Sequence, residues 1–187
     1  TEGDRIILHN CRLLGNQDTL YTGREKGRLF FFNCHIEGTT DFIFGPATAW
    51  FEQCGLHCKK NSYITAASTP PDAAFGYIFN RCHITVAENV TSLFLGRPWR
   101  PYAMTLFMHC SLPAVINPQG WDNWRNPDNE QTARYGEYNN NGEGSNTHSR
   151  VSWSTLLTPD QAKQITLLRV MGDDFYPLII AETHFQP

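Results

Sequence analysis

The chain has 187 residues, of which 41% are hydrophobic, and its formal net charge is -3 at pH 7. This length suits one domain with a continuous core, and the scattered Lys and Arg residues form no basic patch for nucleic acid. No apolar stretch reaches the roughly 18 residues that a bilayer span needs, so we expect neither nucleic acid nor a membrane as partner.

Five segments of the chain share one pattern, in which aromatic or aliphatic residues precede a polar residue, a Cys and an apolar residue. The cysteines of these segments are Cys11, Cys34, Cys54, Cys82 and Cys110. Their irregular separations exclude a helical solenoid but fit coils whose loops differ in length. Because the segments are rich in alternating aromatic and β-branched residues, we expect strands. The repeat therefore predicts an all-β fold, a right-handed parallel β-helix with internal ladders of like side chains.

The cysteines at the common repeat position are interpreted first as small buried groups of an internal ladder. A disulfide between neighbouring rungs, from Cys34 to Cys54, stays open for an oxidising compartment. Cys54, His57 and Cys58 resemble part of a zinc site, but a second ligand pair at a recognisable spacing is lacking. We therefore favour a ladder over a metal site.

The composition changes after the last repeat. Residues 117–149 are rich in Asn, Gly, Asp and Pro, which predicts long connecting loops, and residues 139–144 lack the Lys of a phosphate-binding loop. Thr158, Pro159 and Gln161 combine an N-cap, a proline at the first helical position and a capping glutamine, which predicts a helix through about Leu168 on the outside or end of the coil. We expect one domain over residues 1–187, with coils over about 5–115 and loops plus the C-terminal helix over about 116–187.

Two aspartates share one position of the repeat. Asp18 lies seven residues after Cys11, and Asp41 lies seven residues after Cys34. If the coils are in register, the two carboxylates lie on adjacent turns, roughly 5 Å apart. Two carboxylates this close do not both ionise easily, so one pKa should rise while the other stays low beside a cation. The pair is therefore a candidate acid and nucleophile.

The neighbours of the aspartates favour a functional role over that of ordinary turn residues. Tyr21 follows Asp18 and Phe44 follows Asp41, and aromatic rings of this kind cover sugar faces. Arg97, followed by a stiff proline and then Trp99, offers a guanidinium. Beside Asp41 it would keep the carboxylate ionised and oriented.

Four short segments, in order along nearly the whole chain, match motifs of one known family. They are residues 15–21 (GNQDTLY), 41–45 (DFIFG), 95–99 (LGRPW), and 135–140 (YGEYNN) together with 150–153 (RVSW). With these segments, the sequence resembles the pectin methylesterase, or pectinesterase, family. The resemblance implies a pectin lyase-like solenoid, a right-handed parallel β-helix, which agrees with the repeat.

The resemblance also implies roles for individual residues. Asp41 would be the nucleophile, Asp18 the general acid and base, Gln17 an oxyanion-stabilising amide, and Arg97 the partner of the nucleophile. The residues implied to contact sugar, each of which could instead pack in the core, are Trp99, Tyr21, Phe44 and Trp121.

The implied activity is that of a carboxylic ester hydrolase. It would remove methyl esters from the C6 carboxyls of polygalacturonate and yield methanol and pectate, with methyl-esterified polygalacturonate as partner and no metal or organic cofactor. The family implies a secreted or periplasmic protein, with any export signal upstream of Thr1. Two alternatives stay open: a β-helical glycoside hydrolase, which also uses paired carboxylates, and a non-catalytic carbohydrate-binding member of the fold.

The sequence departs from the family in one respect. A further oxyanion glutamine and the earlier coils of the family would fall upstream of Thr1. The loss of one oxyanion donor costs about 3 to 4 kcal/mol of transition-state stabilisation, and an open coil end exposes strand edges. We therefore expect this chain alone to be weakly active or inactive, with the missing part supplied by a separate N-terminal piece of the same domain.

Overall fold

The computed structural model describes residues 1–175 as a stack of coils made of short strands. In chain order the strands are β1 (Ile6–His9), β2 (Arg12–Leu14), β3 (Leu20–Tyr21), β4 (Arg28–Phe32), β5 (His35–Gly38), β6 (Ile43–Gly45), β7 (Thr48–Glu52), β8 (Gly55–Cys58), β9 (Tyr63–Ala67), β10 (Tyr77–Asn80), β11 (His83–Val86), β12 (Phe94–Gly96), β13 (Met104–Met108), β14 (Arg134–Tyr138) and β15 (Thr155–Leu156). All pairings between these strands are parallel. The predicted parallel β-helix is confirmed.

Successive strands belong to three different sheets. The first sheet has the order β1-β4-β7-β10-β13-β14-β15, the second β11-β8-β5-β2, and the third β12-β9-β6-β3. Each of the first four coils therefore contributes a strand to every sheet, whereas β13, β14 and β15 extend the first sheet alone. The predicted end of the coils near residue 115 is wrong, because β14 and β15 continue the first sheet beyond it.

Each repeat segment that was predicted as one strand contains a sharp bend between the first and second sheets. The bend lies at the polar residue before each Cys, and its φ is positive at Asn10 (56°), Asn33 (50°), Gln53 (53°), Arg81 (55°) and His109 (56°). This left-handed conformation is uncommon for residues other than glycine, and asparagine tolerates it best. The bend therefore explains why a polar residue precedes each Cys of the repeat.

The interior of the coil contains ladders of like side chains, as the repeat predicts. Phe31, Phe51, Phe79 and Phe107 are fully buried, and their ring centroids are separated by 4.6, 4.4 and 4.5 Å in that order. Burial of each ring stabilises the fold by about 1.5 to 3 kcal/mol. Because each ring packs between those of its neighbours, the coils support one another in series.

The repeat cysteines form a second internal ladder of free thiols. The Cys34 sulfur lies 3.4 Å from the Leu8 carbonyl oxygen and can donate to it, and Cys82 and Cys110 contact carbonyls of their preceding coils in the same way. The disulfide from Cys34 to Cys54, which the sequence left as an alternative, is not formed in this structure. Among residues 1–175 there is no group of three or more His, Cys, Asp or Glu placed to hold a metal ion.

The helical segments are all short. They are α1 (Asn129–Thr132), a 3-10 turn (Glu143–Ser145), α2 (Pro159–Lys163) and α3 (Leu167–Met171). The predicted capping box at Thr158 is present. The single helix predicted through Leu168 is wrong, because the Thr166 hydroxyl accepts from the Arg169 amide and starts a second helix.

Helices α2 and α3 cover part of the outer face of the first sheet. Ala162, Val170 and Met171 join Phe30 and Trp50 in an apolar cluster that is separate from the interior of the coil. This agrees with the expectation that the C-terminal helical region packs outside the coil. Within residues 1–175, no helix has the length and apolar content needed to cross a bilayer.

Candidate active site

The hydrogen-bonded register places the two candidate aspartates at equivalent positions. Leu20 lies opposite Ile43 in the β3–β6 pair, and Asp18 and Asp41 each come two residues earlier. The Asp18 amide donates to the Thr40 carbonyl at 3.2 Å, which continues the pairing up to the aspartates. Asp18 and Asp41 therefore occupy one position on adjacent coils, as the repeat predicts.

Both aspartates adopt a left-handed backbone, with φ of 58° at Asp18 and 49° at Asp41. Aspartate is among the few residues that tolerate this region, and residues in it are often found at functional sites. The two equivalent bends turn the chain into β3 and β6. They bring both side chains to one cleft at the start of the third sheet.

Arg97 binds Asp41 with two hydrogen bonds. Its Nε donates to Asp41 Oδ1 at 3.0 Å, and its Nη2 donates to Oδ2 at 2.6 Å. Arg97 follows β12, and the pairing of Gly96 with Thr65 sets it opposite Ala66. The small side chain of Ala66 leaves space for the guanidinium above the third sheet. This two-point contact fixes the orientation of the Asp41 carboxylate.

Two aromatic rings hold the guanidinium of Arg97. Its Cζ lies 4.0 Å from the Tyr63 ring centroid and 3.7 Å from that of Trp124. Stacking of this kind restricts the arginine and adds cation–π attraction. The sequence analysis missed both rings, since they reach Arg97 from another coil and from a loop. The one signal for Trp124 is Asp122, whose carboxylate accepts from the Trp124 amide at 2.7 Å and shapes that turn.

Burial raises the pKa of Asp41, although the hydrogen bonds and charge of Arg97 oppose this effect. The Asp41 side chain is only 8% exposed, and Asp18 nearby adds a further upward contribution. The expectation that the carboxylate beside the cation keeps a low pKa is wrong for Asp41, because burial outweighs the effect of Arg97, and the depth of burial depends on the folded coil. Both Asp41 oxygens accept from the guanidinium, which fits the ionised form. Asp41 is therefore a carboxylate with increased proton affinity, a property that favours nucleophilic attack.

A cleft of about 230 Å³ brings the four predicted catalytic residues together. Its lining consists of Gln17, Asp18, Asp41, Phe44, Ala66, Arg97, Trp99 and Trp124. Gln17 is exposed beside Asp18, and its carboxamide makes no hydrogen bond within the described part of the chain. The amide is therefore available to donate to an oxygen of a ligand.

Two of the predicted sugar-contacting aromatics, Phe44 and Trp99, line the cleft, and a third, Tyr21, packs on Phe44 beside it. Tyr21 is 38% exposed and stacks on Phe44 with a centroid distance of 4.8 Å. The Phe44 and Trp99 rings are 5.8 Å apart. Tyr21, Phe44 and Trp99 therefore form an aromatic strip that extends from the cleft through Phe44 to Tyr21.

Trp121 does not belong to this strip, and its prediction as a sugar contact is corrected. The residue is 1% exposed, and its ring packs 4.5 Å from the Tyr135 ring and 6.0 Å from the Phe107 ring. A bridge with Gly96 continues the third sheet through Trp121 and directs it into the core. Trp124, three residues later, is the tryptophan that reaches the cleft.

The fold and the cleft together define a class of protein, the parallel β-helices with a carboxylate pair on one sheet. Comparison with known proteins narrows this class, since a profile of the Pectinesterase family matches residues 1–174. The chain belongs to the pectinesterase family.

Individual relatives agree with this assignment. The chain is 42% identical to Pectinesterase 31 of Arabidopsis thaliana over 160 residues, which are 85% of this chain and 50% of that protein. Among solved structures, it is similar to the pectin methylesterase from carrot, with 34% identity and a TM-score of 0.80 over 86% of this chain and 55% of that one. It is also similar to a pectin methylesterase in complex with hexasaccharide VII, with 30% identity and a TM-score of 0.77 over 91% and 58% of the two chains. The chain spans about half or less of the length of the curated relatives it matches, for example 51% of Probable pectinesterase A of Aspergillus oryzae and 28% of Probable pectinesterase/pectinesterase inhibitor 21 of Arabidopsis thaliana.

Proposed function

We propose that the protein is a pectin methylesterase, which hydrolyses the C6 methyl esters of polygalacturonate. The observation that supports this most is the buried Asp41 carboxylate, which Arg97 holds with two hydrogen bonds in one cleft with Asp18 and Gln17. Ester hydrolysis by a carboxylate needs an oriented nucleophile, a neighbouring acid and an oxyanion donor. The cleft contains a candidate for each.

In the first half of the proposed reaction, an Asp41 oxygen attacks the C6 carbonyl carbon of the ester. The Gln17 amide donates to the oxyanion of the tetrahedral intermediate. As the bond between C6 and the methoxy oxygen breaks, protonated Asp18 gives its proton to that oxygen, and methanol leaves. The galacturonyl group is then joined to Asp41 as an acid anhydride.

In the second half, water attacks the same C6 carbon while ionised Asp18 takes a proton from the water. Cleavage of the bond between C6 and the Asp41 oxygen releases the product as a carboxylic acid, which loses its remaining proton to solvent, and restores ionised Asp41. Asp18 is again protonated for the next cycle. The change of role at Asp18 needs a carboxyl group that can first donate and then accept a proton at the reacting oxygen.

The aromatic strip supports a carbohydrate substrate. Phe44 and Trp99 offer ring faces in the cleft with the carboxylates, Tyr21 extends this surface beyond Phe44, and such faces pack against the apolar faces of sugars. An uncharged methyl ester can approach ionised Asp41 without charge repulsion, whereas the carboxylate product is repelled by Asp41. The cleft therefore favours the ester over its product.

We further propose a single β-helix domain and an extracytoplasmic location, secreted or periplasmic. The stack of strands from β1 to β15 is continuous, which supports one domain. A polysaccharide substrate does not cross a membrane unaided, so an enzyme that acts on it must be exported.

The test is the reaction of the intact natural protein with highly methyl-esterified polygalacturonate. We expect methanol release without new reducing ends, and a loss of about 10⁴-fold in kcat for Asp41→Asn. Asp72→Asn is the matched control, because Asp72 is exposed and paired with Lys26 outside the cleft. New reducing ends without methanol would instead identify a glycoside hydrolase. Binding of the polymer without either product would identify a carbohydrate-binding protein.

A further inference from the structure

Gln17 and Asp18 lie in a turn that connects β2 to β3, residues 15–19, which we call the 15–19 turn. Its central residues are exposed, so packing alone does not fix their positions. Three hydrogen bonds tie the turn to the second coil. The Thr39 amide donates to the Asn16 carbonyl at 2.9 Å, the Asp18 amide donates to the Thr40 carbonyl at 3.2 Å, and the Thr19 hydroxyl donates to the Glu37 carbonyl at 2.9 Å. These bonds hold the middle and the end of the turn, but not its beginning.

Lys59 holds the beginning of the turn from two coils away. Its ammonium group donates to the Gly15 carbonyl and, at 3.0 Å, to Glu37 Oε1. Gly15 follows β2, Glu37 is in β5, and Lys59 follows β8, so one side chain connects three successive coils. Both charged side chains are mostly covered, at 27% and 22% exposed, which limits their alternative positions.

Glu37 is itself fixed from its other side. His35 Nε2 lies 3.4 Å from Glu37 Oε2, and the hydrogen bond from Lys59, followed by that from His35, lowers the pKa of Glu37. The carboxylate therefore remains ionised over a wider pH range than a free glutamate. Lys59 is held between this carboxylate and the Gly15 carbonyl.

We propose that Lys59 is a positioning residue for catalysis, which fixes the 15–19 turn so that the Gln17 amide and the Asp18 carboxyl face Asp41. This inference rests on the proposed esterase function. The polar contacts of Lys59 end on the turn and on Glu37, and none reaches the cleft itself. Lys59 therefore acts through the backbone of the turn and not on the substrate.

The first test compares Lys59→Met with Lys60→Met in the intact natural protein. Lys60 is an adjacent exposed lysine outside these contacts, which makes it a matched control. Because a misplacement of about 1 Å costs up to about 100-fold in rate, we expect Lys59→Met to lower kcat at least about tenfold with KM changed less than about twofold. Lys59→Arg should restore part of kcat. An unchanged kcat in Lys59→Met would overturn the proposal.

A double-mutant cycle with Gln17→Ala distinguishes positioning from a general loss of stability. If Lys59 acts through the turn, Lys59→Met should lower kcat much less in the Gln17→Ala background than in the natural protein. An equal fold-loss in both backgrounds would contradict the proposal. If Lys59→Met does not fold, Glu37→Gln takes its place in the same cycle, because it removes the negative charge that holds the lysine. Glu37→Gln should likewise lower kcat much less in the Gln17→Ala background than in the natural protein.

Amide hydrogen exchange separates this inference from the proposed function. Without substrate, Lys59→Met should accelerate exchange of the Asp18 amide, which donates to Thr40, and of the Thr39 amide, which donates to Asn16, whereas amides of the β7–β10 pairing keep their natural rates. Unchanged exchange in the turn would overturn the role of Lys59 whatever the activity. If the natural protein releases no methanol but Lys59→Met still accelerates exchange in the turn, the esterase function is refuted. The anchoring of the turn by Lys59 is then still supported.

Discussion

Replacement of Arg97 by Met removes the guanidinium from Asp41 and leaves a carboxylate that is only 8% exposed. Breaking one side of a buried ion pair costs about 3 to 5 kcal/mol, and the lower end applies here because Arg97 itself is 21% exposed. The nucleophile must be ionised to attack, so this cost adds to the barrier. At 1.36 kcal/mol per factor of ten, about 3 kcal/mol corresponds to a loss of roughly 100-fold or more in kcat/KM.

The same substitution should change the pH dependence of the reaction. Burial raises the pKa of Asp41, and the hydrogen bonds and charge of Arg97 are the contributions that lower it. Without Arg97 only the raising effects remain, so the acidic limb of the kcat/KM profile should move to higher pH. Arg97→Lys, which keeps the charge but loses the second hydrogen bond and the stacking, should fall between the two proteins.

The assay is methanol release over a pH series, with Arg24→Met as a control for loss of an exposed arginine outside the cleft. A variant of Arg97 that keeps both the natural kcat/KM and the natural acidic limb would refute the electrostatic account of Asp41. A rise in KM alone, with kcat and its pH profile unchanged, would assign Arg97 to substrate binding instead.

Three other predictions concern the cleft, the core and the loops. In the natural protein, the acidic limb of the kcat/KM profile should lie above the ordinary aspartate pKa of about 3.9. The reason is that Asp41 becomes protonated below its raised pKa and is then no longer a nucleophile. An acidic limb at or below about 3.9 would contradict the assignment of Asp41 as the nucleophile. Trp99→Ala should raise KM for the polymer, whereas Trp121→Phe should leave KM unchanged and cost less than about 1.5 kcal/mol in denaturant unfolding. The cost is small because the buried Trp121 indole N–H has no hydrogen-bond partner among residues 1–175. Glu137→Gln should destabilise the fold by about 3 kcal/mol or more in the same measurement, because it leaves the buried Arg150 charge without its carboxylate. The Glu137 and Arg150 side chains are only 4% and 6% exposed. A change below about 1 kcal/mol would show that this ion pair does not stabilise the fold.

The repeat in the sequence was sufficient to predict the parallel β-helix and the stacking of Asp18 on Asp41. Both follow from the register, and the register follows from the regular position of the cysteines and from like side chains that pack in ladders. The left-handed bend before each Cys was not anticipated. Its polar residue was visible in the sequence, but a polar residue alone does not indicate a change of sheet.

The surroundings of Arg97 could not be predicted in this way. Tyr63 and Trp124 reach it from another coil and from a loop without a repeat, so neither periodicity nor spacing connects the three residues. Trp121 and Trp124 lie in the same loop, and the pattern gives no means to decide which of them is buried. The direction of the Asp41 pKa depends on how deeply the carboxylate is covered, a quantity that only the folded structure provides.

The register of the third sheet is independent of the length of chain between its strands. Equivalent positions are separated by 23 residues from Asp18 to Asp41, by 22 from Asp41 to Tyr63 and by 31 from Tyr63 to Phe94. Hydrogen bonds between strands, and not the connecting loops, set the distance from one coil to the next. Insertions and deletions in the loops can therefore reshape the rim of the cleft during evolution while the placement of the two carboxylates is inherited unchanged.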